Sequence, residues 1–182
     1  MKRLVLALAI LAAAVAGCGA DHSRTVAETE GIYLNIDGLK YQIQMSRYMN
    51  PADVEDSEYL VGIGEEFADP AADETLFGVW VRVQNVSDEA RPAADTWEIH
   101  DTQEQVYRPI PIDPDVNPFV FEPIEVPPNT VIPLPTSAAG QGPTQGQVLV
   151  FKLKTESLQN RPLELKFSNG TDGTIGTYDI DV

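Results

Sequence analysis

Alternation constrains this chain more than any other feature: apolar and polar residues take turns in short runs, each closed by a turn signal. Ile32, Leu34 and Ile36 share one parity, and after Asp37-Gly38 the apolar set moves to Leu39, Tyr41, Ile43 and Met45 on the other. Successive strand side chains point to opposite faces, so parity cannot change within a straight strand. A bulge or tight turn is therefore expected at Gly38. Phe77, Val79, Val81 and Val83 alternate with polar partners such as Arg82 and Gln84, and run into the turn sequence Asn85-Val86-Ser87-Asp88. Trp97 and Ile99 mark another strand, and Gln105 to Ile110 a further one after a turn at Asp101 to Glu104. Leu149, Phe151 and Leu153, then Leu163, Leu165 and Phe167, then Tyr178, Ile180 and Val182 complete the series. Ser168 to Gly173 between the last two reads as a hairpin.

Half-buried strands separated by turns bury their apolar faces by stacking two sheets, which predicts an all-β sandwich. The expected core includes Tyr41, Ile43, Val79, Val81, Trp97, Ile99, Phe151, Leu165 and Ile180. No 10–18-residue helical stripe follows Cys18, so little helix is expected beyond one turn near Asn50 to Asp56.

The first residues are of another kind. Met1-Lys2-Arg3 is basic, and Leu4 to Val15 is free of charge, the length of a secretory signal core and short for a membrane span. The run closes on Val15-Ala16-Gly17-Cys18. Small residues leading into cysteine after such a core resemble the lipobox of bacterial lipoproteins. That resemblance implies a signal peptide over residues 1–17, a diacylglycerol on the Cys18 thiol and further acylation of the new amine. Cys18 is the single cysteine of the chain, so no disulfide can form within it. Residues 18–31 read as the lipidated cysteine and a polar tether, and residues 32–182 as the domain.

Cleavage before Cys18 would remove two bases and no acid, leaving ten basic against 28 acidic residues, about −18. Such a charge repels nucleic acid phosphates and anionic lipid surfaces. Nucleic acid is therefore not an expected partner, and the domain should stand off the membrane that its lipid holds.

Two long stretches break the strand pattern. Asp53 to Glu74 carries nine acids and no base, and reads as a solvated loop or a cation site. Asp53, Glu55 and Asp56 are the candidate ligands for a hard ion, although the glycine and distal glutamate of an EF-hand loop are missing. Pro109 to Pro135 holds nine of the fourteen prolines. Proline lacks the ladder donor, so this segment suits a stiff excursion from one sheet to the other. Its Phe119, Val120, Phe121 and Ile124 are expected to tuck against the sandwich, because an apolar loop left exposed would aggregate.

Catalytic constellations are thin. His22 falls in the tether, and His100 lies on the parity opposite Trp97 and Ile99, facing solvent. No Gly-x-Ser-x-Gly elbow presents a serine to it. Met45, Met49 and His100 are soft donors, but Met45 falls on the buried parity and reads as core filler. Gly140 to Gly146 has the look of a phosphate loop without its lysine, and is better read as a flexible connection.

Tyr41-Gln42-Ile43-Gln44, the run Phe77 to Asp88, and Val148 to Leu153 with the last two strands, all behind the lipobox, resemble a known group. It comprises bacterial lipoproteins with an extracellular immunoglobulin-like domain of unknown function. The resemblance covers residues 32–182. It implies an immunoglobulin-like β-sandwich of about seven to nine antiparallel strands, here with a long acidic loop and a long proline-rich loop. It also implies anchorage to the cell membrane through Cys18 on the extracytoplasmic side. It supplies no catalytic residue and no cofactor. The resulting expectation is a non-catalytic binding or structural module whose partner is an envelope protein or glycan. The alternatives are an exported metal-ion carrier using the acidic loop and, further off, a hydrolase.

Overall fold

The computed structural model describes residues 24–170 and 173–180; Cys18 and His22 lie outside them. The first half comprises β1 (Val26–Ala27), β2 (Leu34–Ile36), β3 (Leu39–Met49), α1 (Val54–Tyr59), α2 (Glu65–Ala68) and β4 (Glu74–Asn85). β5 (Arg91–Pro92), β6 (Thr96–His100), β7 (Val106–Tyr107), β8 (Glu125–Val126) and β9 (Val131–Ile132) follow. The chain continues through α3 (Ala138–Gln141), β10 (Gln147–Lys154), a 3₁₀ turn (Thr155–Gln159), β11 (Leu163–Ser168) and β12 (Gly176–Ile180).

Two sheets face each other. One has the order β1-β12-β11-β6-β7, and the other β10-β4-β3-β2 with β9 also on β4. β5 and β8 form a small ribbon of their own. The described strands exceed the seven to nine expected because five are only two residues long, too short to show any alternation. β1, which lies before the expected start of the domain at residue 32, runs parallel to β12.

The inner faces are what the alternation predicts. Every expected core residue is buried between the sheets. Asp37 and Gly38 both have positive φ, 51° and 85°, which makes the two-residue turn that reverses β2 into β3 and switches parity. Trp97 stacks on Phe167 at 4.6 Å, and Phe121 meets Trp97 edge-on at 5.3 Å. The buried Tyr41 hydroxyl accepts the Ala94 amide at 2.8 Å, and the Tyr178 hydroxyl lies 2.8 Å from the Tyr41 carbonyl, to which it donates. Burial raises both phenols well above their usual range.

The outer face of β10-β4-β3 is also dry. β4 is buried without a break from Leu76 to Val81, the signature of a strand covered on both sides. A register shift between Ile43 and Met45 turns Met45 outward, where it packs with Met49, Leu76 and Trp80; the expected inner parity of Met45 is corrected. Gly78 makes room on this face, since a Cβ there would meet the Trp80 ring at 2.7 Å.

The two insertions build the cover. The acidic stretch is no simple solvated loop: α1 and α2 carry Tyr59, Leu60 and Phe67 onto the face. Tyr59 meets Trp80 edge-on at 5.1 Å and Phe119 at 5.2 Å. The proline-rich strap crosses from β7 to β9, passing from one sheet to the other as expected. It binds the free edge of β10 through Ile110 N–H to Val150 carbonyl at 2.7 Å and Val148 N–H to Phe119 carbonyl at 2.7 Å, which blunts that edge. Val120 and Phe121 are buried, whereas Ile124 stays 38 % exposed, against expectation.

Candidate functional site

The three acids singled out as cation ligands are spent on local architecture. Asp53 is the N-cap of α1, its Oδ1 accepting the amides of Glu55 at 2.9 Å and Asp56 at 3.2 Å. Asp56 is buried, accepts the Asn50 amide at 2.7 Å, and pairs with Arg47 at 2.5 Å. Burial raises the Asp56 carboxyl, but the Arg47 guanidinium and the Asn50 amide outweigh it and hold the group below the ordinary carboxylate range. Arg47 also lies over the Trp80 ring, 5.0 Å from its centroid. Glu55 stands 3.9 Å from Arg47 on the outside. Among the described residues no three His, Cys, Asp or Glu side chains group where they could hold a metal ion.

His100 is half-buried on the outside of its sheet, as its parity indicates, with Nε2 3.0 Å from Glu98 Oε2. Arg108 takes the other oxygen of Glu98 at 2.6 Å. Residues 138–141 form a short helical turn capped by Ser137, which overlaps the start of the glycine-rich connection.

Clefts among the described residues open at the rim of the sandwich, two of them beside the strap and the Asp101–Gln105 turn. The first, about 360 Å³, opens between the strap and β10, and Trp97, Ile110, Phe121 and Leu149 line it. The second, about 440 Å³, is polar and lies at the end bearing the Asp101–Gln105 turn. Gln103, Gln105, Lys154, Glu156 and Asn160 surround it, with Tyr107 and Ser157 at its floor joined by a 2.7 Å hydrogen bond. Asp101 sets the shape of this cleft: its Oδ1 accepts the amides of Gln103 at 2.8 Å and Gln105 at 2.9 Å, and its Oδ2 accepts Asn160 Nδ2 at 3.2 Å. Burial again raises a carboxyl that hydrogen bonds, led by that of Ser157, bring below the ordinary range. The cleft thus presents the primary amides of Gln103 and Gln105 and the Glu156 carboxylate around one opening, beside Lys154, Asn160 and Tyr107, which are held by Asp73 and Glu74, by Asp101 and by Ser157. Sequence reasoning placed the turn at Asp101 to Glu104 correctly. It missed the cleft, because Lys154 and Asn160 join it only through the fold.

No protein-family profile matches the chain, and no curated protein matches it. Among solved structures, the crystal structure of the yjhA protein from Bacillus subtilis superposes with a TM-score of 0.52 at 11 % identity, covering 85 % of this chain and 99 % of that one. A functionally unknown protein from Listeria monocytogenes gives 0.49 at 10 % identity, covering 85 % of each chain. An uncharacterised β-sandwich protein from Clostridium difficile gives 0.44 at 11 % identity, over 88 % and 98 %. The chain has an all-β, multi-stranded sandwich architecture. Likeness at this identity speaks for fold alone.

Proposed function

We propose that this protein is a cell-envelope lipoprotein, anchored through Cys18 on the extracytoplasmic side, whose sandwich acts by binding and not by catalysis. The polar cleft around Gln103, Gln105 and Asn160 carries the binding half of this reading, and the ligand that fits it is a hydroxyl-rich envelope glycan. The chain enters the domain at the opposite end: β1 begins beside Thr177 of β12, whereas the Asp101–Gln105 turn follows the far end of β6. A tether from Cys18 therefore leaves the cleft facing away from the membrane. Supporting a non-catalytic role, Asp56 and Asp101 are engaged in structural hydrogen bonds, and His100 is engaged by Glu98.

An immunoglobulin-like topology belongs to the same proposal. Taking β3, β4, β6, β10, β11 and β12 as strands A, B, C, E, F and G gives one sheet A-B-E and the other C-F-G, which supports this reading with strand D left unassigned.

Mass spectrometry of the natural protein tests the anchor. A mature chain beginning at diacylated Cys18 is expected, with Cys18→Ala found in the soluble fraction; an intact leader or a bare thiol overturns it. Purified envelope glycan tests the cleft. Gln103→Ala combined with Gln105→Ala is expected to weaken binding at least tenfold, about 1.4 kcal/mol, and unchanged binding removes the cleft from the proposal.

A further inference from the structure

Ten Lys and Arg side chains lie among the described residues, and seven of them are engaged. Arg47, Arg91, Arg108, Lys152, Lys154 and Lys166 pair with carboxylates, and Arg161 donates to the Leu158 carbonyl. The side chains of Arg24, Lys40 and Arg82 make no hydrogen bond or ion pair among the described residues. In a chain this rich in acid, three unpaired cations are worth locating, and they are neighbours. Lys40 is paired in register with Gln84, and Arg82 with Gln42. Facing residues of an antiparallel pair share a face, so these four form one block, with Lys40 and Arg82 on its diagonal, roughly 7–8 Å apart. The block looks outward, because Leu39, Tyr41, Val81 and Val83 fill the inner face. Arg24 lies one strand further along the same row: its carbonyl accepts the amide of Asn35, and Asn35 is the register partner of Lys40.

This end of the sheet is left open by the helices and strap that cover the other end. Beside the block a cleft of about 300 Å³ runs between Arg82, Gln141 and Gln145, and Leu134 nearby is 52 % exposed. Asp37, three positions before Lys40, is turned to the other sheet, where its Oδ2 accepts the Thr174 amide at 3.2 Å. The block also sits where the chain enters the domain. Only five residues separate Cys18 from Arg24, a reach of about 20 Å when fully extended.

We infer that this basic block, Arg24, Lys40 and Arg82 with the glutamines between them, is a docking surface for anionic phospholipid headgroups. The inference rests on the anchored reading above and deepens it. Net charge pushes the rest of the domain away from an anionic surface, while the lipid holds these three cations within reach of it, so the two forces orient the sandwich instead of merely lifting it. Exposed Leu134 and the half-buried glutamines suit the polar-apolar boundary of the headgroup layer. The polar cleft at the far end is then presented outward.

Because acylation consumes the sole natural thiol, a cysteine introduced by Gln84→Cys or by Gln159→Cys labels one end of the full-length acylated protein. The labelled protein is bound to phosphatidylcholine vesicles with or without phosphatidylglycerol, each holding headgroup-nitroxide quencher. Quenching is expected at position 84 and not at 159, only with phosphatidylglycerol, and weaker at high salt. Lys40→Gln and Arg82→Gln are each expected to lower the docked-to-free ratio about fivefold. Equal quenching at the two positions, or no response to the substitutions in protein that is acylated and vesicle-bound, overturns the docking surface and leaves the anchor standing. Protein without the acyl group in its mass spectrum overturns the anchor and this inference together.

Discussion

The two faces of the β10-β4-β3 sheet are both dry, yet they are built by different rules. The inner face meets another sheet, and its residues repeat every second position: Val79, Val81 and Val83 on one strand, Leu149, Phe151 and Leu153 on the next. The outer face keeps the same alternation on its strands, Leu76 and Trp80 on one and Val148 and Val150 on the next, but it meets two short helices and a strap whose apolar residues share no common period. Regular secondary structure satisfies its own backbone groups, so the inner face needs little polar help. The irregular cover must find partners for its amides and carbonyls elsewhere. Asn117 supplies them. Fully buried, it donates through Nδ2 to the carbonyls of Tyr59 at 2.9 Å and Val61 at 3.0 Å, and its Oδ1 accepts the Phe119 amide at 3.0 Å. One side chain from the strap thereby ties down the turn after α1. Asn85 does the same at the other end, donating to the carbonyls of Glu89 and Val126 and accepting from Ser87. Layers made from strands hold by shape; layers made from loops hold by a few buried amides.

Three experiments bear on that contrast, and the largest effect belongs to the inner face. Trp97→Ala removes the centre of the aromatic cluster and is expected to cost about 3–5 kcal/mol, lowering the whole denaturation curve as one transition. A two-step curve would mean that the sheets do not share one cooperative core. Asn117→Ala is expected to cost about 1–3 kcal/mol and to act locally. Hydrogen exchange should speed up first over residues 54–68 and 110–121 while β6 and β11 stay protected; uniform acceleration would erase the distinction between the two layers.

The smallest effect is acid sensitivity. Asp56 and Asp101 have folded-state carboxyls held below their ordinary value. Their stabilisation is complete above the unfolded value of about 3.9 and is lost as the pH falls through the lower folded values. Asp56→Asn is expected to flatten that acid limb in pH-dependent denaturation, with the outer layer loosening before the core. An acid limb identical to wild type would show that Asp56 and Arg47 do not couple the helix to β3.

The contrast also explains what could be read in advance. The inner core, the parity switch at Asp37-Gly38 and the hairpin after Ser168 were legible because each depends on residues close in sequence. The helices of the acidic stretch were not, since six and four residues are fewer than two turns and leave no periodic stripe. Asp53 and Asp56 looked like ligands because a cap and a buried ion pair use the same oxygens a cation would. Met45 was misplaced because a single-residue bulge at Gln44 leaves no mark in the alternation.

From the sequence by itself came the two-sheet principle and the residues that fill the space between the sheets, both consequences of periods and signals spanning a few residues. The tertiary structure alone decided that the second face of one sheet is covered and which insertion covers it. It alone gathered Gln103, Lys154 and Asn160 around one cleft and set Arg24, Lys40 and Arg82 side by side. These are juxtapositions of residues tens of positions apart, and a one-dimensional pattern carries no term for the distance between them.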